Sequence, residues 1–208
     1  MIQVRDVFQV KFGKIDQAVQ LFERLPGFST QHAAAGVHYH VLSDISGPMF
    51  TLVTELMVPN LSGWEVIRDR SFGEPAFADW FKEFQLYIDS GRREYYTVEG
   101  ECSDWSRPGV VVVRQVYRAL MWQIRPAVAL LQRYGALLTA FEVGRQPRIL
   151  TDASGPMFQA VVEVEVDDLT AWEQKRRTLF QQADFQAWFA QLRSGVGAGS
   201  HEFYRVEA

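Results

Sequence analysis

The chain of 208 residues is 48% hydrophobic and contains 15 Phe, 7 Tyr and 6 Trp, enough for one large domain or two domains of about 100 residues each. Its net charge of −4, with acids and bases scattered along the chain, argues against a nucleic-acid partner. No apolar run approaches the ~20 residues needed to cross a bilayer, the N-terminus lacks a signal-peptide pattern, and the single Cys102 suits a reducing compartment, so we expect a cytoplasmic protein with no membrane partner.

The first half of the chain is predicted to follow the order strand, helix, strand, strand, helix, strand. Its first strand alternates strictly in polarity, and Asp6 is the exception on the apolar side. Two of the strands form a hairpin around the turn Ser46-Gly47-Pro48, and Asn60 or Ser62 caps the helix that follows. The predicted ranges are strands 3–12, 37–42, 50–58 and 94–99, a helix over 14–25 ended by Pro26-Gly27, and an interrupted helical region around Trp64 and from Phe77 to Phe84.

The stretch from Leu42 to Phe50 occurs twice, since residues 150–158 repeat seven of its nine positions 108 residues later. The same frame matches Trp64-Glu65 to Trp172-Glu173 and Trp80-Phe81 to Trp188-Phe189. So many identities in one frame indicate a tandem duplication. We predict a first repeat over residues 1–99, a polar linker over 100–109 and a second repeat over 110–208.

The second repeat is predicted to contain the same elements. A strand over 110–120 precedes a helix that begins near Pro126. A second hairpin covers 148–152 and 157–166, and Asp168 caps the next helical region. The last strand covers 201–207, and the glycines of 195–199 are interpreted as a flexible connection before it.

Each βαββαβ unit builds one antiparallel four-stranded sheet with both helices on one face. A single copy would leave the other face bare, whereas two copies can cover each other. The predicted fold class is therefore α+β, with two tandem ferredoxin-like repeats whose antiparallel sheets pack as an intrachain barrel. The chain would be a pseudo-dimer, and further homo-oligomerisation stays open.

The chain resembles the dimeric α+β barrel superfamily, and within it the NIPSNAP-like proteins. The resemblance rests on three stretches of the second repeat, which are Thr151-Asp152-x-Ser154-Gly155-Pro156, Leu169-x-x-Trp172-Glu173-x-x-Arg176-Arg177 and Phe185-Gln186-Ala187-Trp188. It implies a barrel that binds a small molecule, with cofactor-independent oxygenases and isomerases among the activities. Haem is a cofactor that only the resemblance implies, and the residues themselves predict none.

Strand parity nominates polar residues for the barrel interior. Arg5 and Gln9 on the first strand have counterparts in Arg114 and Arg118, and these four are candidate ligand-binding residues. We expect the first and third strands to be parallel neighbours, so that Arg5 meets Glu55. Arg114 would meet Glu163 in the same way. The pairs form either a polar cavity for a small molecule or buried ion pairs that fix the register of the sheets, and their presence in both copies favours the ion pairs.

Residues that differ between the copies are better functional candidates. His38 and His40 share one face of the second strand, where the other copy has Gln146 and Arg148. We nominate both histidines as catalytic, with Glu55 as a base, and Arg148 as a further ligand-binding residue. The alternative is a pair of half-exposed strand histidines. A metal would need a third ligand, for which His32 or Glu55 is available, and no metal motif is present.

The residues and the resemblance are compatible with two functions. One is a small-molecule protein with a polar cavity, acting as a cofactor-independent oxygenase or isomerase. The other is a non-catalytic structural or interaction protein with a filled barrel. A cavity that reaches solvent near His40 would favour the first, and Arg5–Glu55 and Arg114–Glu163 pairs closed on each other would favour the second.

Overall fold

The computed structural model describes residues 1–25 and 38–208, except for the side chains of Glu23 and His38. The predicted helix stop at Pro26-Gly27, the predicted strand start at Val37 and the candidate ligand His32 lie outside the described residues. The strands are β1 Ile2–Val10, β2 His38–Asp44, β3 Thr51–Val58, β4 Ile88–Val98, β5 Val111–Ala119, β6 Arg145–Asp152, β7 Gln159–Val166 and β8 Val196–Val206. The described helices are α1 Ile15–Glu23, α2 Leu61–Gly73, α3 Pro75–Phe84, α4 Ile124–Ala140, α5 Leu169–Phe180 and α6 Ala183–Gly195.

The eight strands close into one barrel in the order β1-β3-β2-β8-β5-β7-β6-β4. Pairs of β2 with β8 and of β4 with β6 join the two halves. The predicted α+β barrel is therefore confirmed. The expectation that the first and third strands are parallel was wrong, because β1 and β3 run antiparallel. The two strands are neighbours, as expected. β3 forms a hairpin with β2, so it runs antiparallel to β2, and it lies between β2 and β1.

Apolar residues on the outer face of the barrel pack against the helices in two comparable layers. In the first half, Leu21 and Phe84 belong to the core between β1–β3 and the helices α1 and α3. Trp80 of α3 donates its indole N–H to the carbonyl of Leu21 at 2.8 Å. In the second half, Trp188 of α6 donates to the carbonyl of Leu130 at 2.7 Å. The matching bonds align α1 with α4 and α3 with α6.

The repeated stretch forms the same turn in both halves. Asp44 accepts a hydrogen bond from the amide of Thr51 at 2.7 Å, and Asp152 accepts one from the amide of Gln159 at 2.7 Å. Two helix caps match the sequence prediction, since the side chains of Asn60 and Asp168 accept from amides in the first turns of α2 and α5. The aspartates hold the hairpins by satisfying strand amides that the turn leaves unpaired.

Three predicted strand starts were wrong, among them that of β6, which begins at Arg145 rather than Arg148. β4 begins at Ile88 rather than Glu94, and β8 begins at Val196 rather than His201. Most of the glycine-rich segment 195–199 belongs to β8, because Gly197 and Gly199 pass close to the side chains of Leu120 and Tyr117. A Cβ on Gly199 would stand 3.3 Å from the ring of Tyr117, so the absence of a side chain allows this close approach.

Candidate functional site

The barrel interior contains an ionic network that begins with Arg5, which is 1% exposed. Arg5 lies opposite Glu55 in the strand register, and its Nε is 3.9 Å from the Glu55 carboxylate. Its stronger bond is to Glu94, with 3.0 Å between Nη1 and Oε2. The guanidinium also lies over the ring of Tyr204 from the other half, 5.2 Å from the ring centre.

Arg114 repeats this arrangement from the second half. It is 2% exposed, donates to Glu163 and lies over the ring of Tyr96 at 4.9 Å. Glu202 bridges the two arginines, at 3.7 Å from Arg5 and 3.5 Å from Arg114. Each half therefore places an arginine on a tyrosine of the other half, and the Arg5–Glu202 pair connects the two halves.

Arg148 and Glu55 hold the linker between the halves inside the barrel. The linker forms neither helix nor strand, yet its Trp105 is only 4% exposed and packs among residues of both halves. Trp105 donates to Glu55 at 3.1 Å, and the Arg148 guanidinium lies over its ring at 3.4 Å. Arg148 also donates twice to the Ser103 carbonyl, at 2.6 and 3.0 Å.

His40 contacts the same linker. Its Nε2 lies 2.9 Å from the Asp104 carboxylate, and its side chain is 13% exposed. His40 and Arg148 occupy equivalent strand positions, and a single asymmetric linker cannot present the same group to both. The two side chains contact different groups of the linker, Asp104 for His40 and the Ser103 carbonyl for Arg148. The backbone of His38 lies opposite Met57 in the sheet, and its side chain is outside the described residues.

The other two predicted ligand-binding residues lie near the opposite end of the barrel. Gln9 is half-buried and donates to the carbonyl of Met49 at 2.7 Å, which ties β1 to the hairpin turn. Arg118 is exposed near the end of β5. The structure therefore does not bring Gln9 and Arg118 together with His40 and Arg148.

Burial, and then the charge of Glu163, raises the pKa of Glu55 above its usual value, against the lowering effect of Arg148. Trp105 and Arg148 both donate to Oε2 of Glu55, and Arg5 Nε lies 3.9 Å from Oε1. These contacts favour the ionised carboxylate, so burial acts against them.

Three buried guanidinium groups face four carboxylates inside the barrel. Arg5 pairs with Glu94, and Arg114 pairs with Glu163 and Glu202. Arg148 pairs with Glu55. The polar side chains of the barrel interior therefore contact mainly one another, and Glu55 already hydrogen-bonds Trp105 and Arg148. Among the described residues, Nε and Nη2 of Arg5 and Nε of Arg114 are buried without a hydrogen-bond partner.

A cavity lies instead outside the barrel, between the sheet and the helices of the first half. Its volume is about 210 Å³, and its walls are mainly aromatic. The described lining residues come from β1–β4 and α1–α3 and include Leu25, Tyr39, Trp64, Phe72 and Trp80. No pattern in the sequence indicates that the core between the sheet and these helices is incompletely filled.

An ion pair lies on the sheet side of this cavity. Arg93 donates to both oxygens of Asp6 at 2.6 Å, and its guanidinium lies 4.5 Å from the ring centre of Trp64. Burial lowers the pKa of Arg93, but the hydrogen bond and charge of Asp6 outweigh it and raise the value above normal. Burial, followed by the charge of Asp6, raises the pKa of Tyr39 well above its usual value, so that its hydroxyl stays protonated. Asp6 had stood out in the sequence as the one charged residue on the apolar side of its strand.

The corresponding space in the second half is filled. The alignment that matches Leu21 to Leu130 also matches Leu25 to Tyr134, whose ring stacks on Trp188 at 4.2 Å between centroids. The counterpart of Asp6 is Gln115, which donates to the Tyr134 hydroxyl at 3.3 Å. One half thus carries an aromatic cavity with an ion pair. In the other half Tyr134 occupies the matching space, and the Arg176 guanidinium lies over the rings of Trp172 and Phe180.

Haem does not fit this cavity. Among the described lining residues only Tyr39 is of a type that ligates haem iron, and burial raises its pKa and keeps its hydroxyl protonated. The volume of about 210 Å³ is also below the 300–1,000 Å³ typical of pockets for drug-sized ligands. Within residues 1–25 and 38–208, no three His, Cys, Asp or Glu side chains are placed to share a metal ion. Nor is any helix in these ranges long and apolar enough to cross a bilayer.

No protein-family model and no curated protein sequence matches the chain. Solved structures do match over its full length. A candidate monooxygenase from Fusobacterium nucleatum is 11% identical, with a TM-score of 0.71 over 100% of this chain and 92% of that one. An anthrone oxidase-like protein is 16% identical, with a TM-score of 0.69 over 100% and 91%. A haem-binding protein from Thermus thermophilus is 13% identical, with a TM-score of 0.61 over 99% and 90%.

NIPSNAP-family structures are also among the matches, at 16–18% identity. They cover 45–47% of the chain, with TM-scores of 0.39–0.42. At such low identities the full-length matches establish the architecture and leave the activity undetermined. The chain has the dimeric α+β barrel fold, with both sheets supplied by one polypeptide.

Proposed function

We propose that the protein binds an aromatic compound of one or two rings in the cavity of the first half. The observation that carries this proposal is an aromatic-walled space of about 210 Å³ with the Asp6–Arg93 ion pair on its sheet side. An apolar cavity of about 150 Å³ is enough to bind benzene. The extra volume and the ion pair favour a slightly larger ring system that carries a hydroxyl or carbonyl group.

The polar groups of the cavity would orient such a ligand. The Arg93 guanidinium and the Tyr39 hydroxyl, which also hydrogen-bonds Thr54, lie on the sheet side. Each carries an N–H or O–H group of the kind that a ligand oxygen accepts from. The indole of Trp64 and the rings of α3 offer apolar faces for the ring system. A few polar groups in a mainly apolar cavity are the usual means of fixing ligand orientation.

Oxidation by O₂ without a bound cofactor is the reaction class that we propose to test first. It requires a base that takes a proton from the ligand, and Asp6 is the carboxylate that lines the cavity. Asp6 would exchange one of its hydrogen bonds to Arg93 for one to the ligand. Two of the similar structures, the candidate monooxygenase and the anthrone oxidase-like protein, agree with this class.

The second candidate is a non-catalytic structural or interaction protein. The filled barrel interior favours it, because Arg5, Arg114 and Glu55 have protein partners there. On that account the helix-side cavity would be a packing defect that binds nothing.

Calorimetric titration with 2-naphthol separates the two candidates. We expect wild-type protein to bind one equivalent, and Leu25→Tyr, which copies the filled second half, to lose binding. Leu86→Tyr is the matched control, because Leu86 is 66% exposed and does not line the cavity. No binding to wild-type protein, or equal binding to a folded Leu25→Tyr variant, would favour the non-catalytic candidate.

A further inference from the structure

One end of the barrel is formed by loops that carry large exposed apolar side chains. Because all neighbouring strands are antiparallel, β1, β2, β5 and β6 finish at the same end. We call this the apolar end and define it by residues 11–14, 45–50, 85–87, 120–123 and 153–158. Its most exposed apolar side chains, each at least 63% exposed, are Phe12, Met49, Leu86, Met121, Trp122 and Met157.

Trp122 is the most unusual residue of this end. It has a φ of 68°, in the left-handed region, and is 84% exposed. The equivalent loop of the first half has Gly13 at this position, with a φ of 70°. The loop therefore requires a left-handed residue, and tryptophan adopts that conformation at a cost of roughly 1 kcal/mol. Because the ring is exposed, its contacts with the rest of the chain compensate for little of this conformational free energy.

The two ends of the barrel differ in charge. The loops of the apolar end contain two charged residues, Lys11 and Lys14, and the exposed Arg118 and Arg125 lie beside the loop of Trp122. Asp16 and Asp89 border this end, at the starts of α1 and β4. The described loops of the opposite end are rich in acids, at Glu99, Glu101, Asp104, Glu142, Asp167 and Asp168, with Arg107 among them.

We propose that the apolar end docks reversibly onto an anionic lipid surface. Exposed Trp, Phe and Met side chains beside Lys and Arg are the combination that enters the headgroup region, and cations there favour anionic lipids. The acidic opposite end would orient the molecule with that end away from the membrane. This departs from the expectation of no membrane partner, which rested on the lack of a spanning segment.

A second copy of the chain matches this end less well. An end-to-end contact between two copies would place Lys11, Lys14, Arg118 and Arg125 against the same cations of the partner. Lipid phosphates and carboxylates complement the cations directly.

Co-sedimentation with phosphatidylcholine vesicles, with and without phosphatidylserine, tests the proposal. We expect wild-type protein to pellet with the anionic vesicles and to be released by salt. Trp122→Gly should weaken binding about tenfold, and Lys14→Gln about fivefold. Val66→Ser is the matched control, since Val66 is 69% exposed on α2, and its binding should equal that of wild type.

Trp122→Gly should fold normally, because glycine suits the left-handed position, and Phe12→Ser provides a second variant with the same expected loss. Wild-type protein that stays in the supernatant with both vesicles would overturn the proposal. So would wild-type binding by Trp122→Gly and Phe12→Ser together. A concentration-dependent dimer that Trp122→Gly abolishes, without vesicle binding, would assign this end to a second copy instead.

Discussion

Trp105 is predicted to be the residue of the linker that contributes most to stability. Its side chain is 4% exposed inside the barrel, and replacement of a buried Trp by Ala typically costs about 3–5 kcal/mol. Trp105→Ala also removes the N–H donor to Glu55 and the ring under Arg148. For a chain of this size, such a loss lowers Tm by roughly 6–20 °C.

Urea unfolding monitored by circular dichroism gives the free energy of unfolding for this comparison. Trp105→Phe keeps an apolar ring but loses the donor, so its cost should be smaller, about 1–3 kcal/mol. Trp122→Gly is the control for loss of an exposed tryptophan and should change stability by less than about 1 kcal/mol. A cost below about 1 kcal/mol for Trp105→Ala would refute the conclusion that the linker is part of the barrel core.

Three further predictions follow from the same contacts. As pH rises above 4.5, the ordinary pKa of the group, the Glu55→Gln variant should become more stable relative to wild type. The reason is that a buried acid with a raised pKa destabilises the folded protein when it ionises. Urea unfolding at several pH values measures the difference in unfolding free energy, and a difference that does not change with pH would contradict the raised pKa. Tyr134→Leu should open a second cavity, so that 2-naphthol titration gives two equivalents per chain, and an unchanged stoichiometry in a folded variant would count against the comparison of the halves. Asp44→Ala and Asp152→Ala should each cost about 0.5–1.5 kcal/mol in unfolding free energy, and a loss confined to one of them would show that the repeated turn is held differently in the two halves.

The sequence predicted the barrel because alternation and the internal repeat are local patterns. Strand parity placed Arg5 and Glu55 on the interior face, and the structure pairs them. The direction of β1 relative to β3 was wrong, because parity describes faces and carries no information on strand direction. The start of β8 was misplaced because Gly197 and Gly199 read as a flexible loop, whereas their lack of a side chain lets the strand pass Leu120 and Tyr117.

The contacts of the linker and the cavity beside the helices were harder to predict from the sequence. The polar composition of residues 100–109 concealed that Trp105 enters the barrel and that His40 and Arg148 contact this linker. The difference between the copies at His40 and Arg148 was visible, but the different linker groups that they contact were not. Asp6 was also visible as an exception on its strand, yet only the packing of three helices over it reveals the cavity it lines.

The most direct test of the central claim is a crystal structure of the protein grown with a saturating amount of 2-naphthol. We predict density for the ligand between Trp64 and α3, with its oxygen within hydrogen-bond distance of Tyr39 or Arg93. The second half should hold no ligand, because Tyr134 fills the matching space. Density inside the barrel beside Arg5 and Arg148, or no density in the helix-side cavity, would contradict the account.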